Sequence, residues 1–478
     1  MRVLYCVSEC APIIKVGGLG DVAGSLPKAL SRLGVDIRII IPRYEDIKTL
    51  RYSEIKRIGE IEVEFGRKEK VVIWEMILPD STVPVYLLEN EKYLSKDGHK
   101  AFAGTEKEVE RFAFFSKAIA ELLITHNPQL TTHFDLLHLN DWHTSLVPLL
   151  LPQTHKLPTL LTIHNLSYQG ITPIDLLSKL GLTPDFCEVL RWDAQNRDID
   201  ILMEGIIHAT MVNTVSPTYA KEIMTPEFGW GIEEVLKGKE GRMVGILNGI
   251  DYDFWNPATD QYINVKCQML NVKSWKAENK KALQKELGLM VDENIPLLAF
   301  VGRLEPQQKG LDILYKAMEK LLPKDFFQFV ILGVGDKEWE MKWQMVNVKW
   351  QNKMVFIARF DEALAHKIYA GADIILMPSR FEPCGLPQMI GMRYGSLPLV
   401  RKAGGLADTV REGETGFVFE SYLSNDLANK IKEALKIYAS PKWEKMVRTA
   451  MGQDFSWEVS ARKYLDLYKE VIRLHNRE

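Results

Sequence analysis

Apolar positions along this chain come in short continuous runs separated by stretches with helical spacing. Val3–Ser8 is one such run, the length of a buried strand. Val22–Arg32 sets Leu26, Ala29 and Leu30 on a helical face, Gly34 stops the helix, and Asp36–Ile41 follows as a second strand closed by Pro42. Strand, helix and strand in that order make a βαβ unit with parallel strands. Similar runs lie at Asp135–His138, Thr159–His164 and Met211–Val215, and Ser216-Pro217 reads as a helix cap with proline at the first helical position. The rhythm restarts with a strand at Leu297–Val301, a helix at Leu311–Leu321, and strands at Phe329–Leu332, Val355–Ile357 and Ile374–Met377. Between the two series, Asn248–Thr259 holds the turn dipeptides Asn248-Gly249 and Asn256-Pro257, as a hinge would. After Ser456, residues Ala461, Tyr464, Leu465, Tyr468, Val471 and Ile472 share one face and predict an amphipathic helix packing on a domain.

The pattern predicts an α/β protein of two halves, each on a parallel sheet. Ligands of such sheets bind beyond the carboxyl ends of the strands, so the chemistry is expected in a cleft between the halves.

Composition narrows the partners. The 478 residues carry 60 basic and 63 acidic side chains, a formal charge of −3, without the overall basic surplus of a nucleic-acid binder. With 46% hydrophobic and 26% charged residues, disorder, collagen-like and coiled-coil readings fall away. No uninterrupted apolar stretch reaches the ~18 residues of a membrane helix. Glu9 and Pro12 follow the first apolar run too closely for a signal-peptide core, and a cytoplasmic location is expected. Five scattered cysteines give no disulfide framework, and Cys6 and Cys10 lack a second pair for zinc.

Candidate chemistry clusters after the strands. Lys15-Val16-Gly17-Gly18-Leu19-Gly20-Asp21 precedes the first helix, where glycines admit a ligand and the helix N-terminus attracts anions. Gly18, Gly20 and Ala23 fit a dinucleotide fingerprint, but they lie well beyond the strand, and Pro42-Arg43 stands where a ribose-binding acid belongs. A structural turn is the alternative. Gly404-Gly405-Leu406-Ala407-Asp408 repeats the pattern G-G-L-x-D. Arg303 and Lys309 share a strand-to-helix loop and suit a diphosphate leaving group, unless they are simply solvated charges. Ser379–Leu386 offers Glu382 to sugar hydroxyls, or else buries a structural carboxylate. His138, Asp141, His143 and His164 follow strands too. The first three are admissible metal ligands, but no other cluster has metal-ligand spacing, and no metal is expected.

Together the strings KVGGLGDV at 15–22, HNLSYQG at 164–170, TVSPTYAKEI at 214–223, LNGIDYDFWNPATD at 247–260, QKG at 308–310 and RFEPCGLPQMIGMRYGSLPLVRKAGGLADTV at 380–410 resemble the bacterial glycogen and plant starch synthases, glycosyltransferase family 5. The resemblance implies two Rossmann-like domains in the GT-B arrangement facing a deep cleft. These are an acceptor-side domain at 1–248, with 457–478 crossing back onto it, and a nucleotide-sugar-binding domain at 249–456. It implies transfer of glucose from ADP-glucose to the non-reducing 4-hydroxyl of an α-1,4-glucan, with retention and without cofactor or catalytic metal. UDP-glucose or another acceptor, and a non-catalytic glucan-binding protein, are the alternatives.

Carried over by position, Lys15, Gly17 and Gly18 meet the donor's phosphates and glucose, with Asp21 beside them. His164 flanks the reacting glucose, Asp141 contacts sugar, and Asn248 lies near the donor at the hinge. Lys280, Arg303 and Lys309 are cations in or bordering the donor site. Glu382 holds glucose hydroxyls; Cys384, Gly385 and Leu386 shape its turn, Gly404 and Gly405 adjoin the donor, and Phe360 packs on the base. His164, Glu382, Lys15 and Asp141 are the catalytic candidates. The sequence departs from the family pattern by an extra residue between Arg303 and Lys309, by Pro387 in place of threonine, and by Ile390 where related transferases carry a second glutamate. The segment Trp339–Trp350 reads either as a partly buried helix or as a glucan-contacting surface.

Overall fold

A computed structural model describes residues 1–49, 55–95, 106–125, 133–267 and 271–477. They divide into two compact units, Met1–Gly249 with Trp457–Glu478, and Ile250–Ser456.

In the first unit the apolar runs become strands β1 (Arg2–Cys6), β2 (Asp36–Pro42), β3 (Lys56–Glu64), β4 (Lys68–Ile77), β5 (Pro84–Glu89), β6 (Leu136–Asn140), β7 (Thr159–Ile163), β8 (Ile171–Pro173), β9 (Asp198–Asp200), β10 (Met211–Thr214) and β11 (Met243–Gly245). Nine of them form one sheet in the order β11-β10-β7-β6-β1-β2-β5-β4-β3, and β8 pairs with β9 apart from it. The pairs from β11 through β5 are parallel, as the βαβ rhythm requires. The β3–β4 hairpin joins antiparallel at one edge, a feature the parallel reading does not contain. Its outer faces are laced by Lys68–Glu62 and Lys70–Glu60 ion pairs, charges that discourage further strand pairing.

Side chains alternate across the sheet. Val3 and Tyr5 of β1 enter one core with the helix Gly18–Arg32, and Leu4 and Cys6 enter the other with the helix Glu106–Ile124. The final helix, Trp457–His475, belongs to the first of these cores through Trp457, Ala461, Tyr464, Leu467, Tyr468 and Val471. Leu467 is fully part of that face, while Leu465 and Ile472 flank it.

The second unit contains β12 (Leu297–Val301), β13 (Gln328–Leu332), β14 (Met354–Ile357), β15 (Ile374–Met377), β16 (Leu397–Arg401) and β17 (Phe417–Phe419). They form a parallel sheet in the order β14-β13-β12-β15-β16-β17. Its start and finish are pinned together, because Ile250 N–H donates to the Phe455 carbonyl at 2.8 Å. The tryptophan-rich segment is a helix, Lys337–Lys349, anchored by buried Trp343 against Tyr315 and Phe329. Among the described residues no helix is long and apolar enough to cross a membrane.

One expected donor-site cation belongs elsewhere. Lys280 is only 2% exposed, and its Nζ lies 2.6 Å from Asp373 Oδ2. It also donates to Tyr438 Oη and to the Glu293 and Ile295 carbonyls. Asp373 immediately precedes β15, and its Oδ2 also accepts the N–H of Leu297, the first residue of β12. The pair therefore closes the amino edge of the sheet, opposite the edge where parallel strands bind ligands. Burial pulls the Lys280 pKa down, but Asp373 and Tyr438 more than offset it and hold the ammonium charged. Lys280→Met leaves Asp373 buried and unpaired, and should cost about 3–5 kcal/mol of stability. Denaturant unfolding checks this; an unchanged midpoint would return Lys280 to the list of ligand-binding residues.

Candidate active site

Both sheets reverse their strand order beside the strand that opens the unit. In the first unit β1 lies between β2 and β6, and in the second β12 lies between β13 and β15. Such switch points open a crevice at the carboxyl edge.

The loops after β1, β6 and β7 meet at the first switch point. After β1 comes Glu9, 4% exposed, whose Oε2 accepts the backbone N–H groups of Val16 and Gly17. Glu9 thereby shapes the glycine loop from beneath. A Cβ on Gly20 would sit 2.9 Å from Glu9 Oε2 and 3.3 Å from the Lys15 Cα, so packing demands glycine there. A Cβ on Gly18 would meet nothing within 4 Å; its smallness answers no internal contact. Gly17 is the N-cap of the helix Gly18–Arg32, and Lys15 pairs with Asp21 of its first turn at 2.7 Å.

After β6, Asp141 adopts φ 53°, a conformation costly for a side chain with a Cβ. Its Oδ1 accepts the His164 N–H at 2.7 Å, which ties the β6 and β7 loops together. Asn140 holds the imidazole: its Nδ2 donates to the Cys6 carbonyl, leaving Oδ1 to accept from the Tyr5 hydroxyl and from His164 Nε2 at 2.9 Å. That arrangement puts the ring proton on Nε2 and leaves the Nδ1 lone pair unprotonated. Burial lowers the His164 pKa to about 3, so the ring is neutral at ordinary pH. Burial also lifts Asp141 to about 7, against the N–H groups of His164 and Asn165 and with the Glu9 charge adding to the rise. Glu9 itself is raised by burial to about 7.

His138 serves the core. Its Nδ1 bonds Tyr468 Oη and its Nε2 bonds Thr162 Oγ1, each at 2.6 Å, so neither nitrogen is open to a metal. Asn248 follows β11 and is 7% exposed; its Oδ1 has no hydrogen-bond partner among the described residues. A buried acceptor without a donor is rare in a folded protein and marks hydrogen-bonding capacity that the described residues leave unused.

In the second unit the loops after β12, β15 and β16 meet. Glu382, 4% exposed, accepts from Lys309 Nζ at 2.7 and 3.0 Å and from Ser379 Oγ at 2.9 Å. Gly310 at φ 66° lies against the Pro378 carbonyl, where any Cβ would collide, and this close approach lets Lys309 reach Glu382. Gly405 lies equally close to the Cys384 backbone and donates its N–H to the Glu382 carbonyl at 3.0 Å. Gly404 opens the short helix Gly404–Thr409, Gly385 turns at φ 75°, and Leu386 is the N-cap of the helix Pro387–Arg393. Pro387 thus occupies the first helical position, where its missing N–H costs the helix nothing. Ile390 is buried in that helix. Arg303, two residues past β12, is exposed, and its guanidinium has no partner among the described residues. Phe360, 76% exposed, stands beyond β14.

Residues 2–238 match the family described as the starch synthase catalytic domain, and 281–451 match glycosyl transferases group 1. The glycogen synthase of Clostridium beijerinckii is 41% identical, over 98% of this chain and 99% of its own length. The chain belongs to the glycogen and starch synthase family. The Bacillus subtilis glycogen synthase is 40% identical over 99% of each chain. The catalytic domain of Arabidopsis thaliana starch synthase IV, solved with ADP and acarbose, superposes with a TM-score of 0.88 at 32% identity, covering 99% of both chains. The expected GT-B fold and glycosyltransferase class therefore hold for this synthase-family chain.

Family motifs led to Lys15, Asp141, His164 and Glu382 but assigned no role to Glu9, Asn140 or Ser379, which hydrogen-bond to them or to their loops. An acid three residues past a strand's end was the available signal for Glu9.

Glu9 makes a pH prediction. Its folded pKa of about 7 exceeds the ordinary 4.5, so between those values the folded state keeps a proton that the unfolded chain releases. Stability from this group is complete below pH 4.5 and lost as pH rises through 7. Glu9→Gln should flatten that slope by up to roughly 3 kcal/mol. Unfolding measured across the window checks it; parallel slopes in parent and variant would show that Glu9 titrates normally.

Proposed function

We propose that this synthase-family chain transfers glucose from ADP-glucose to the non-reducing 4-hydroxyl of an α-1,4-glucan, with retention of configuration. The observation that carries the reading is the unpartnered Arg303 guanidinium on the same sheet edge as the Lys309–Glu382 pair. Adjacent strand ends bring a cation for phosphate and a carboxylate for sugar hydroxyls together. The starch synthase structure with ADP and acarbose supports this choice of substrates.

Arg303 and Lys309 neutralise the diphosphate as the bond from glucose C1 to phosphate oxygen breaks. The Lys309 ammonium shares its protons between phosphate and Glu382, and Glu382 accepts from glucose hydroxyls. Gly404 and Gly405 let the donor lie close to the backbone, Cys384, Gly385 and Leu386 fix the turn, and Phe360 stacks on the base. In the first unit, the family pattern assigns Lys15, Gly17 and Gly18 to the phosphates and glucose, and Asp21 pairs with Lys15. Asn248 Oδ1 accepts from the donor.

His164, neutral, presents Nδ1 as an acceptor beside the glucosyl carbon, and Asp141 accepts from the sugar. The acceptor's 4-oxygen forms the new bond to C1, and its proton passes to the departing phosphate. Protein cations supply the charge stabilisation in this scheme.

Initial rates with ADP-glucose and UDP-glucose on glycogen test the proposal. ADP release with glycogen elongation is the expected result, and absence of transfer from either donor sinks it. Glu382→Ala and Lys15→Ala should each lower turnover at least ~100-fold, the scale of one lost transition-state contact. Near-parental rates in both would overturn the residue assignment.

A further inference from the structure

Away from both switch points, the first unit gathers a cysteine, a glutamate and a histidine. Glu204 and His208 are four residues apart on one face of the helix Ile201–His208, and Cys187 is the N-cap of the helix Glu188–Asp193. His208 Nε2 is 3.3 Å from Glu204 Oε2 and 4.0 Å from Cys187 Sγ, and the three donor atoms all lie within 4.8 Å of one another. Ligand atoms around a tetrahedral zinc ion are separated by roughly 3.3–3.6 Å, so the trio needs only a small contraction to share one ion.

A second observation points to a ligand. Glu204 is completely buried, and among the described residues no N–H or hydroxyl donates to either carboxylate oxygen; a second carboxyl, Asp193, lies against it and is pushed up to about 7, mainly by burial. A buried carboxylate left in that condition is expensive unless a cation meets it.

We propose that Cys187, Glu204 and His208 bind one zinc-class divalent ion. The sulfur, nitrogen and oxygen donor set suits zinc and disfavours magnesium and calcium, which take oxygen ligands. Water would complete the coordination, since Asp193, whose Oδ2 accepts the Asp200 N–H, lies outside the three-residue cluster. Cys187 and His208 are partly exposed and give the ion a way in. The ion would clip the excursion between β8 and β9 onto the helix that follows it. The site shares no residue with the glucosyl-transfer assignment and stands or falls independently of it.

Zinc titration of the full chain, stripped with a chelator and followed with a competing chromophoric indicator, tests the proposal. The expected result is one zinc ion per chain, bound at least tenfold more weakly by Cys187→Ser and by His208→Gln, with glucosyl transfer by Cys187→Ser unchanged. A measurement on the unaltered protein needs no variant to fold. The other four cysteines are buried, so Cys187 is the thiol open to a chromogenic disulfide reagent, and zinc should suppress that reaction. Absence of stoichiometric zinc, retention of full affinity by both variants, or unprotected Cys187 at saturating zinc would overturn the proposal.

Discussion

Parallel strands cannot be joined by tight turns; the chain must leave one edge of the sheet and cross back before it starts the next strand. Every loop that follows a strand therefore emerges on the same side, and neighbouring strands deliver residues far apart in sequence to adjacent positions. In the first unit β1, β6 and β7 bring Glu9, Asp141 and His164 together in this way. In the second, β12, β15 and β16 bring together Lys309, Glu382 and Gly405. Gly310 and Gly405 then remove the last obstacle, since a side chain at either would push one loop off the next.

The two switch points are electrically unlike. The first is built on buried carboxylates and a neutral imidazole, with charge suppressed by burial, and its cation, Lys15, is held in a pair with Asp21. The second sets an exposed arginine on the same edge as a buried ion pair. A chain of formal charge −3 can thus hold a local surplus of cation where the phosphate chemistry is assigned.

Strands buried on both faces were legible because they read as continuous apolar runs; Leu297–Val301 and Ile374–Met377 carry the boundaries that the pattern predicts. The β3–β4 hairpin was not, because its charged, half-exposed residues look like surface until their cross-strand pairing is known. Lys280 was misassigned for a different reason. Motif matching identifies a lysine on a helix, but only the register of β12 with β15 reveals that its carboxylate partner sits at the amino edge. Asn140 and Glu9 escaped notice because they act through other residues, fixing an imidazole and a loop backbone.

The final helix carries a consequence for biogenesis. Trp457, Tyr464 and Tyr468 fill the same core as Val3 and Leu26, and Tyr468 supplies the hydroxyl that His138 Nδ1 needs. On the ribosome those side chains are made after the whole of the second unit. The unit synthesised first is thus finished last, with an apolar groove open along its sheet until that helix is made. The nascent chain must keep that groove from foreign contacts for the time it takes to add some two hundred residues, while Ile250–Ser456 can already close on itself.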